Sequence, residues 1–306
     1  MRYQRLDLNL LVALDALLEE RNITRAAERL SLSQSALSGM LSRLREYFDD
    51  KLLTPVGRSM MLTPLAQELV EPVRNVLLHA RTVASITPAF APLTARRHFR
   101  IATSDYVVHV LLRHVIQEIE LSAPNITLEF MPQVEDSAEK LRRGDYDFLI
   151  IPEPFIADDQ PFVPLFEDEY VCVIAKDNPI VDAEFDLACY EQLGHVSVLL
   201  GWPRTPTFES RFLDDRGIRR NVRVQASDFL SAASVVVGTR MVATMHARLA
   251  HLAAKHLPLR IVPVPLPVPH VRECLQWHHY LDADPCHRWL RNVISDVAAK
   301  LPASGA

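Results

Sequence analysis

Residues 23–45 of this 306-residue chain place two short helical patterns around a tight polar turn, and that spacing leaves few folds open. Upstream, Leu6, Leu10, Leu11, Leu14, Leu17 and Leu18 recur at helical spacing and give one apolar face, a supporting helix. Thr24 stands where an N-cap belongs, and Ala26, Ala27 and Leu30 put small or apolar groups on the inner face of a helix that must pack closely. Ser31-Leu32 makes the turn. Ser33 caps the next helix, whose Ala36, Leu37, Leu41 and Leu44 form the buried stripe, while Gln34, Ser35, Ser38, Gly39 and Ser42 stay on the outer face.

Short hydroxyls and an amide at the N-terminal end of a second helix are groups that the major groove of DNA admits. Residues 21–45 carry Arg21, Arg25, Arg29, Arg43 and Arg45 against Glu28 alone, in a chain of formal net charge −5, so phosphates would hold this segment. Taken by itself, 33–45 is equally readable as an amphipathic surface helix. The flank shifts the balance: Leu52-Leu53, then Pro55, Gly57 and Arg58, then Met60 to Pro64, read as a small wing with Arg58 at its tip beside a phosphate.

With these motifs the chain resembles the LysR-type transcriptional regulators. The likeness is carried by Leu6-Asp7-Leu8-Asn9-Leu10-Leu11, Ala26-Ala27 with Leu30, residues 32–38, Arg43-Leu44-Arg45 and Leu62-Thr63-Pro64. It implies a winged helix-turn-helix over 1–63, with DNA contacts at Thr24, Ser33, Gln34, Ser35, Ser38, Gly39, Arg43 and Arg58 on promoter DNA with dyad half-sites. Three positions depart from the family pattern. Ser35 replaces a usual Pro, Gly39 and Met40 replace longer polar or basic side chains, and Pro55 replaces the first wing Arg. Within the family the likeness is to the nodulation regulators and the related aromatic-degradation regulators, through residues 10–17, 142–150 and 170–173.

A helix without Gly follows over 64–86, with Leu65, Leu69, Val73, Val76, Leu77, Ala80 and Val83 as its stripe. Prolines 88 and 92 then make a hinge over 87–97. By resemblance the long helix dimerises and the remaining domain, 98–306, completes a homotetramer that acts with RNA polymerase. Strand and helix patterns alternate from Phe99 onward in two successive series, which implies a mostly parallel α/β architecture. The resemblance makes it a bilobal, periplasmic-binding-protein-like effector domain: lobe I at about 98–164 and 270–301, lobe II at about 165–269, with crossings near Pro164 and 267–270.

Ligands in such folds sit beyond the carboxyl ends of strands. Ser104 ends a strand and opens a helix whose free amides favour an anion, although a plain N-cap explains it equally. By resemblance the second lobe adds Trp202, Thr205, Asp228, Phe229 and Thr244; core packing is the competing role for Trp202 and Phe229. The family branch implies a small aromatic effector, and Asp228 would suit a phenolic hydroxyl better than a carboxylate.

The remaining classes are argued against by missing signals. No run of 18 apolar residues and no basic-then-apolar leader occurs, so neither a membrane span nor export for solute transport is expected, and the cytoplasm is. Cys172, Cys189, Cys274 and Cys286 are too scattered for a zinc framework and read as reduced, mostly buried thiols; His278-His279 and Cys286-His287 lack a third ligand at useful spacing. No GxGxxG, P-loop, GxSxG or HExxH is present, and 8 Gly are few for a phosphate cradle, so no enzyme and no cofactor is expected. The reading is an effector-controlled activator. Its alternatives are an effector-independent regulator or repressor, or an α/β enzyme or small-molecule binder.

Overall fold

The computed structural model describes residues 6–56, 59–85, 90–182, 185–201, 204–302 and 304. Two compact units divide between Thr87 and Pro88.

In the first unit Asp7 opens α1 (Leu8–Glu20) by accepting the Asn9 amide at 2.9 Å. The helix buries Leu10, Leu11, Ala13, Leu14, Leu17 and Leu18. The cap of α2 (Ile23–Arg29) is Asn22, not Thr24: the Asn22 carboxamide accepts the amides of Thr24 at 2.9 Å and Arg25 at 3.1 Å. Asn22 is the extended residue just outside the helix, where a cap must stand, and Thr24 lies exposed in the first turn. Ser31, at φ 53°, turns the chain into α3 (Gln34–Phe48), which Ser33 caps through the Ala36 amide at 3.1 Å. Leu37, Leu41 and Leu44 are the buried stripe; Ala36, one residue off that stripe and so about 100° round the helix, is exposed rather than buried.

The strands β1 (Leu53–Val56) and β2 (Ser59–Leu62) pair antiparallel as the wing. The chain then enters α4 (Pro64–Ser85), which carries Pro72 inside it. Arg74 Nε lies 3.3 Å from Asp15 Oδ1 and pins α4 to α1 over a shared leucine core that takes in Ala66 and Val73.

The second unit begins with β3 (Arg97–Thr103). A helix follows as α5 (Asp105–Val107), a π turn (Val108–Leu112) and α6 (Arg113–Ser122); then come β4 (Ile126–Pro132), α7 (Ser137–Arg142), β5 (Phe148–Pro152) and β6 (Phe162–Asp168). A second series runs β7 (Tyr170–Ala175), α8 (Leu187–Gln192), β8 (Gly194–Leu200), β9 (Thr205–Pro206), α9 (Phe208–Asp215), β10 (Asn221–Ala226), α10 (Phe229–Val236), β11 (Val242–His246), α11 (Ala247–Ala254) and β12 (Leu259–Pro263). The chain returns as β13 (Val271–Trp277) and α12 (Pro285–Ala299).

The first lobe's sheet has the order β4-β3-β5-β13-β6 and the second lobe's β10-β8-β11-β7-β12. These sheets are mixed, where a mostly parallel one was expected. β3 runs parallel to β4 and β5, but β13 is antiparallel to β5 and β6; likewise β7 is antiparallel to β11 and β12. Strands that carry the chain between lobes enter each sheet against the direction set by its βαβ units.

The first crossing is at Glu169, not near Pro164, because Val271 of β13 still pairs with Asp168. Pro164 sits inside β6 without harm: β6 is an edge strand, and its register to β13 shifts between Glu273 and Cys274, next to the Pro164 pairing. A proline cannot donate to a ladder, and an edge or a bulge spares it that duty.

Candidate functional site

On the first unit the outer face of α3 presents Gln34, Ser35, Gly39, Ser42 and Arg43 exposed and Ser38 half-buried. Ser33 Oγ and Ser35 Oγ stand 3.0 Å apart, and Ser42 Oγ donates to the Ser38 carbonyl at 3.0 Å. A Cβ on Gly39 would meet nothing within 4 Å, so that face has open space in front of it.

The arginines divide the labour. Arg29 pairs with Glu19 at 2.7 Å and Arg25 with Glu20 at 3.2 Å, so two of the five cations are partly neutralised by acids just upstream. Arg45 donates to the carbonyls of Lys51 at 2.8 Å and Leu53 at 3.1 Å, bracing the wing instead of facing solvent. Arg43 has no ion pair among the described residues and is exposed. Asp50 accepts from Thr63 Oγ1 and from the Leu52 amide, both at 2.6 Å, and these bonds hold its carboxyl below the usual range. Arg58 lies outside the described residues, as does Trp202.

In the second unit a cavity of about 220 Å³ lies between the two lobes. Lobe I supplies Ser104 beyond β3, Gln133 and Val134 beyond β4, Ile151 and Phe155 around the end of β5, and Glu273. Lobe II supplies Tyr170, Thr205, Thr207, Phe208, Arg211, Phe229 and His246. Most of these positions follow a strand's carboxyl end, the place where open α/β sheets leave a crevice.

Of the residues expected there, Ser104, Thr205 and Phe229 line the cavity. Ser104 is also a cap, accepting the Val107 amide at 3.5 Å, so its two roles coincide. Asp228 and Thr244, also expected there, are not among the residues lining it. Asp228 folds back on its own helix, accepting the Ser231 amide and hydroxyl, each at 2.7 Å. Burial works against ionisation there, but the bonds from Ser231 and Ser227 and the charge of His109 outweigh it and keep the carboxyl below the usual range. Thr244 faces the small core of lobe II, 2.8 Å from Tyr190 Oη and 3.7 Å from Cys172 Sγ.

Two lining residues escape a linear reading. Glu273 is 2% exposed and its Oε2 has no hydrogen-bond partner among the described residues. Burial, with Asp168 nearby, pushes its carboxyl up to about 8. His246 is also buried, its Nδ1 has no partner among the described residues, and burial pushes the imidazole down to about 3. Its ring stacks on Tyr106 at 3.7 Å and meets Phe229 edge-on at 4.7 Å. The signal for both was slight: a lone acid followed by Cys274-Leu275 in a strand, and a polar residue closing an apolar one.

The lobes are joined across the cavity. Asp105 Oδ2 accepts the amides of Phe229 at 3.0 Å and Leu230 at 3.1 Å, capping the opposite lobe's α10; burial nevertheless raises its carboxyl. At the crossing Asp168 accepts Tyr106 Oη at 2.8 Å and the amides of Glu169 at 2.9 Å and Arg248 at 3.2 Å.

Compared with known proteins, residues 94–299 match the LysR substrate binding domain and residues 8–67 match the bacterial regulatory helix-turn-helix protein, lysR family. The chain belongs to the LysR family. Nodulation protein D 1 of Rhizobium tropici is 39% identical over 306 residues, covering 100% of this chain and 99% of the relative. A probable transcriptional regulator of Pseudomonas aeruginosa is 29% identical, with a TM-score of 0.65 over 96% of this chain and 98% of that one. CbnR complexed with its target DNA shares the fold, at a TM-score of 0.51 and 15% identity over 96% and 100% of the two chains. This LysR-family protein is thus a DNA-binding transcriptional regulator with a small-molecule effector domain, not an enzyme. Among the described residues no helix is long and apolar enough to cross a membrane, and no cluster of His, Cys, Asp and Glu is placed to hold a metal.

Proposed function

We propose that this regulator is a cytoplasmic activator switched by a small aromatic effector, of phenolic type, held between its lobes. The observation that carries the reading is the cavity wall, where Phe155, Tyr170, Phe208 and Phe229 converge on about 220 Å³. A cavity of about 150 Å³ accepts benzene, so one substituted ring has room here. Aromatic side chains supply the apolar area, and the few buried polar groups fix orientation.

On the DNA side, Ser33, Gln34, Ser35, Ser38 and Gly39 meet base edges, with Thr24, Arg43 and Arg58 on phosphates. The protein pairs through α4, assembles as a tetramer through its effector domains, and contacts RNA polymerase. The effector acts by shifting a population: it changes DNA binding only by the difference in its affinity for the two cleft states. A hundredfold response needs about 2.7 kcal/mol of such preference.

Footprinting on the DNA upstream of its own gene, at about 150 mM salt against random DNA, tests the reading. Selective protection whose boundaries change with a phenolic compound is the expected result. Footprints that stay identical with every aromatic compound tried would sink the effector part of the proposal.

A further inference from the structure

We infer that Glu273 and His246 read a hydroxyl group on an uncharged aromatic effector at the floor of the interlobe cavity, and that this floor rejects a carboxylate. The inference rests on the effector-cavity reading above and names the chemistry that cavity selects.

Both residues line the cavity, both are more than nine-tenths buried, and each holds an atom, Glu273 Oε2 and His246 Nδ1, with no hydrogen-bond partner among the described residues. Leaving a buried polar atom without a partner costs about 1–3 kcal/mol, so two such atoms on residues that line one cavity point to a ligand that completes them. His246 is held by the Tyr106 ring at 3.7 Å and the Tyr170 ring at 4.8 Å, which fixes the direction its imidazole offers. Glu273 sits on β13 opposite Pro152 and Phe166, neither of which competes for its carboxyl through a side-chain hydrogen bond.

The electrostatics favour a neutral guest. The charged and titratable groups around Glu273 are Asp168 at the end of β6, Tyr106 from α5 and Tyr170 from β7; Arg248 of α11 reaches Asp168 only at 4.0 Å. With its proton retained at neutral pH, Glu273 both donates and accepts, while uncharged His246 supplies a further ring nitrogen. A phenolic O–H donates to one and accepts from the other. A carboxylate would arrive near Asp168, and the half-buried cation there, Arg248, is already engaged by Asp168 at 4.0 Å and by the carbonyls of Glu167 and Pro302; Arg211 of the lining is exposed and lies over the Phe155 ring at 4.8 Å.

The test is a ligand-observed NMR titration of the full chain with three matched probes: 4-hydroxyacetophenone, 4-methoxyacetophenone and 4-acetylbenzoate. In the natural chain the hydroxyl probe should bind about tenfold or more tighter than its methyl ether, with the carboxylate weakest. Glu273→Gln, which stays neutral and hydrogen-bonding, should keep that order. Glu273→Leu and His246→Phe should each bring the ratio of hydroxyl-probe to ether affinity down toward one; if the Leu variant does not fold, His246→Phe carries the comparison. A hydroxyl preference that survives both variants, or a carboxylate that binds as well as the phenol, overturns the inference. Binding blind to the hydroxyl sinks this inference alone, whereas no binding by any probe sinks the aromatic-effector reading with it.

Discussion

The carboxylate of Asp105 in the first lobe accepts the backbone amide of Phe229 in the second at 3.0 Å, so one lobe caps a helix of the other. Helix α10 therefore has two acidic caps, its own Asp228 and the borrowed Asp105, and only the borrowed one depends on the lobes being together. Closure of the cavity is thereby coupled to the first turn of a helix.

Asp105→Ala removes that borrowed cap, and we predict a loss of about 1–2 kcal/mol in stability, the usual cost of a lost helix cap. The radius of gyration of the full chain in small-angle X-ray scattering should rise, and effector binding should weaken. A variant with unchanged scattering and unchanged unfolding midpoint would contradict the coupling.

Gly201 closes the same rim by a different means. Its φ is +62°, and a Cβ there would stand 2.2 Å from the Gln133 carbonyl oxygen and 2.9 Å from Val134 Cγ1, across the lobes. Gly201→Ala therefore adds backbone strain and a wedge at once. The expected result is an open cavity, with weaker effector binding and a smaller change in DNA affinity when effector is added, read from paired titrations of ligand and DNA.

Stability should depend on pH in two opposing limbs. Burial holds His195, His246 and His287 at about 4, 3 and 3, against about 6.5 in an unfolded chain. Below pH ~6.5 the unfolded chain takes up protons that the folded one refuses, so the full stability present above that pH is lost as pH falls. Glu273 has the other sign: at about 8 it keeps a proton that an unfolded glutamate releases near pH ~4.3, so stability declines as pH rises toward 8. Urea midpoints of Glu273→Gln should fall less than those of the natural chain between pH ~6.5 and 8, and those of His287→Gln should fall less between ~6.5 and 5. Equal slopes in variant and natural chain would refute the assignment.

Two arginines two residues apart should give different phenotypes. Arg45→Ala breaks the bonds to the Lys51 and Leu53 carbonyls, so it should lower the melting temperature of the DNA-binding unit. Arg43→Ala should leave that temperature alone and reduce the slope of log affinity against log salt by about one, equally on specific and random DNA. Anisotropy titrations between about 50 and 200 mM salt separate the two.

The sequence discloses most where the physics is local. The leucines of α1 and the Ser33 cap are settled by neighbours within a few residues, and both stand as read. Asn22 and Thr24 both have capping side chains two positions apart, and the choice between them was made by where the helix actually begins. The basic count of 21–45 misled because Glu19 and Glu20 lay just outside the window and reached back into it. Ser104 was legible as a strand's end; Glu273 was not, since its place at the cavity exists only once β13 returns to the first sheet more than a hundred residues after β5. Pro164 reads as a boundary in the linear sequence because edge position is a property of topology, not of the residue.

The four cysteines have a practical consequence. Burial pushes Cys172 up to about 12 and Cys274 and Cys286 to about 11, so at neutral pH these three stay thiols. Cys189 on α8 and Cys286 on α12 are both partly exposed, and burial raises both thiols, that of Cys286 to about 11. A maleimide dye should therefore favour Cys189, the less shifted of the two, and a lobe that moves would carry its own reporter.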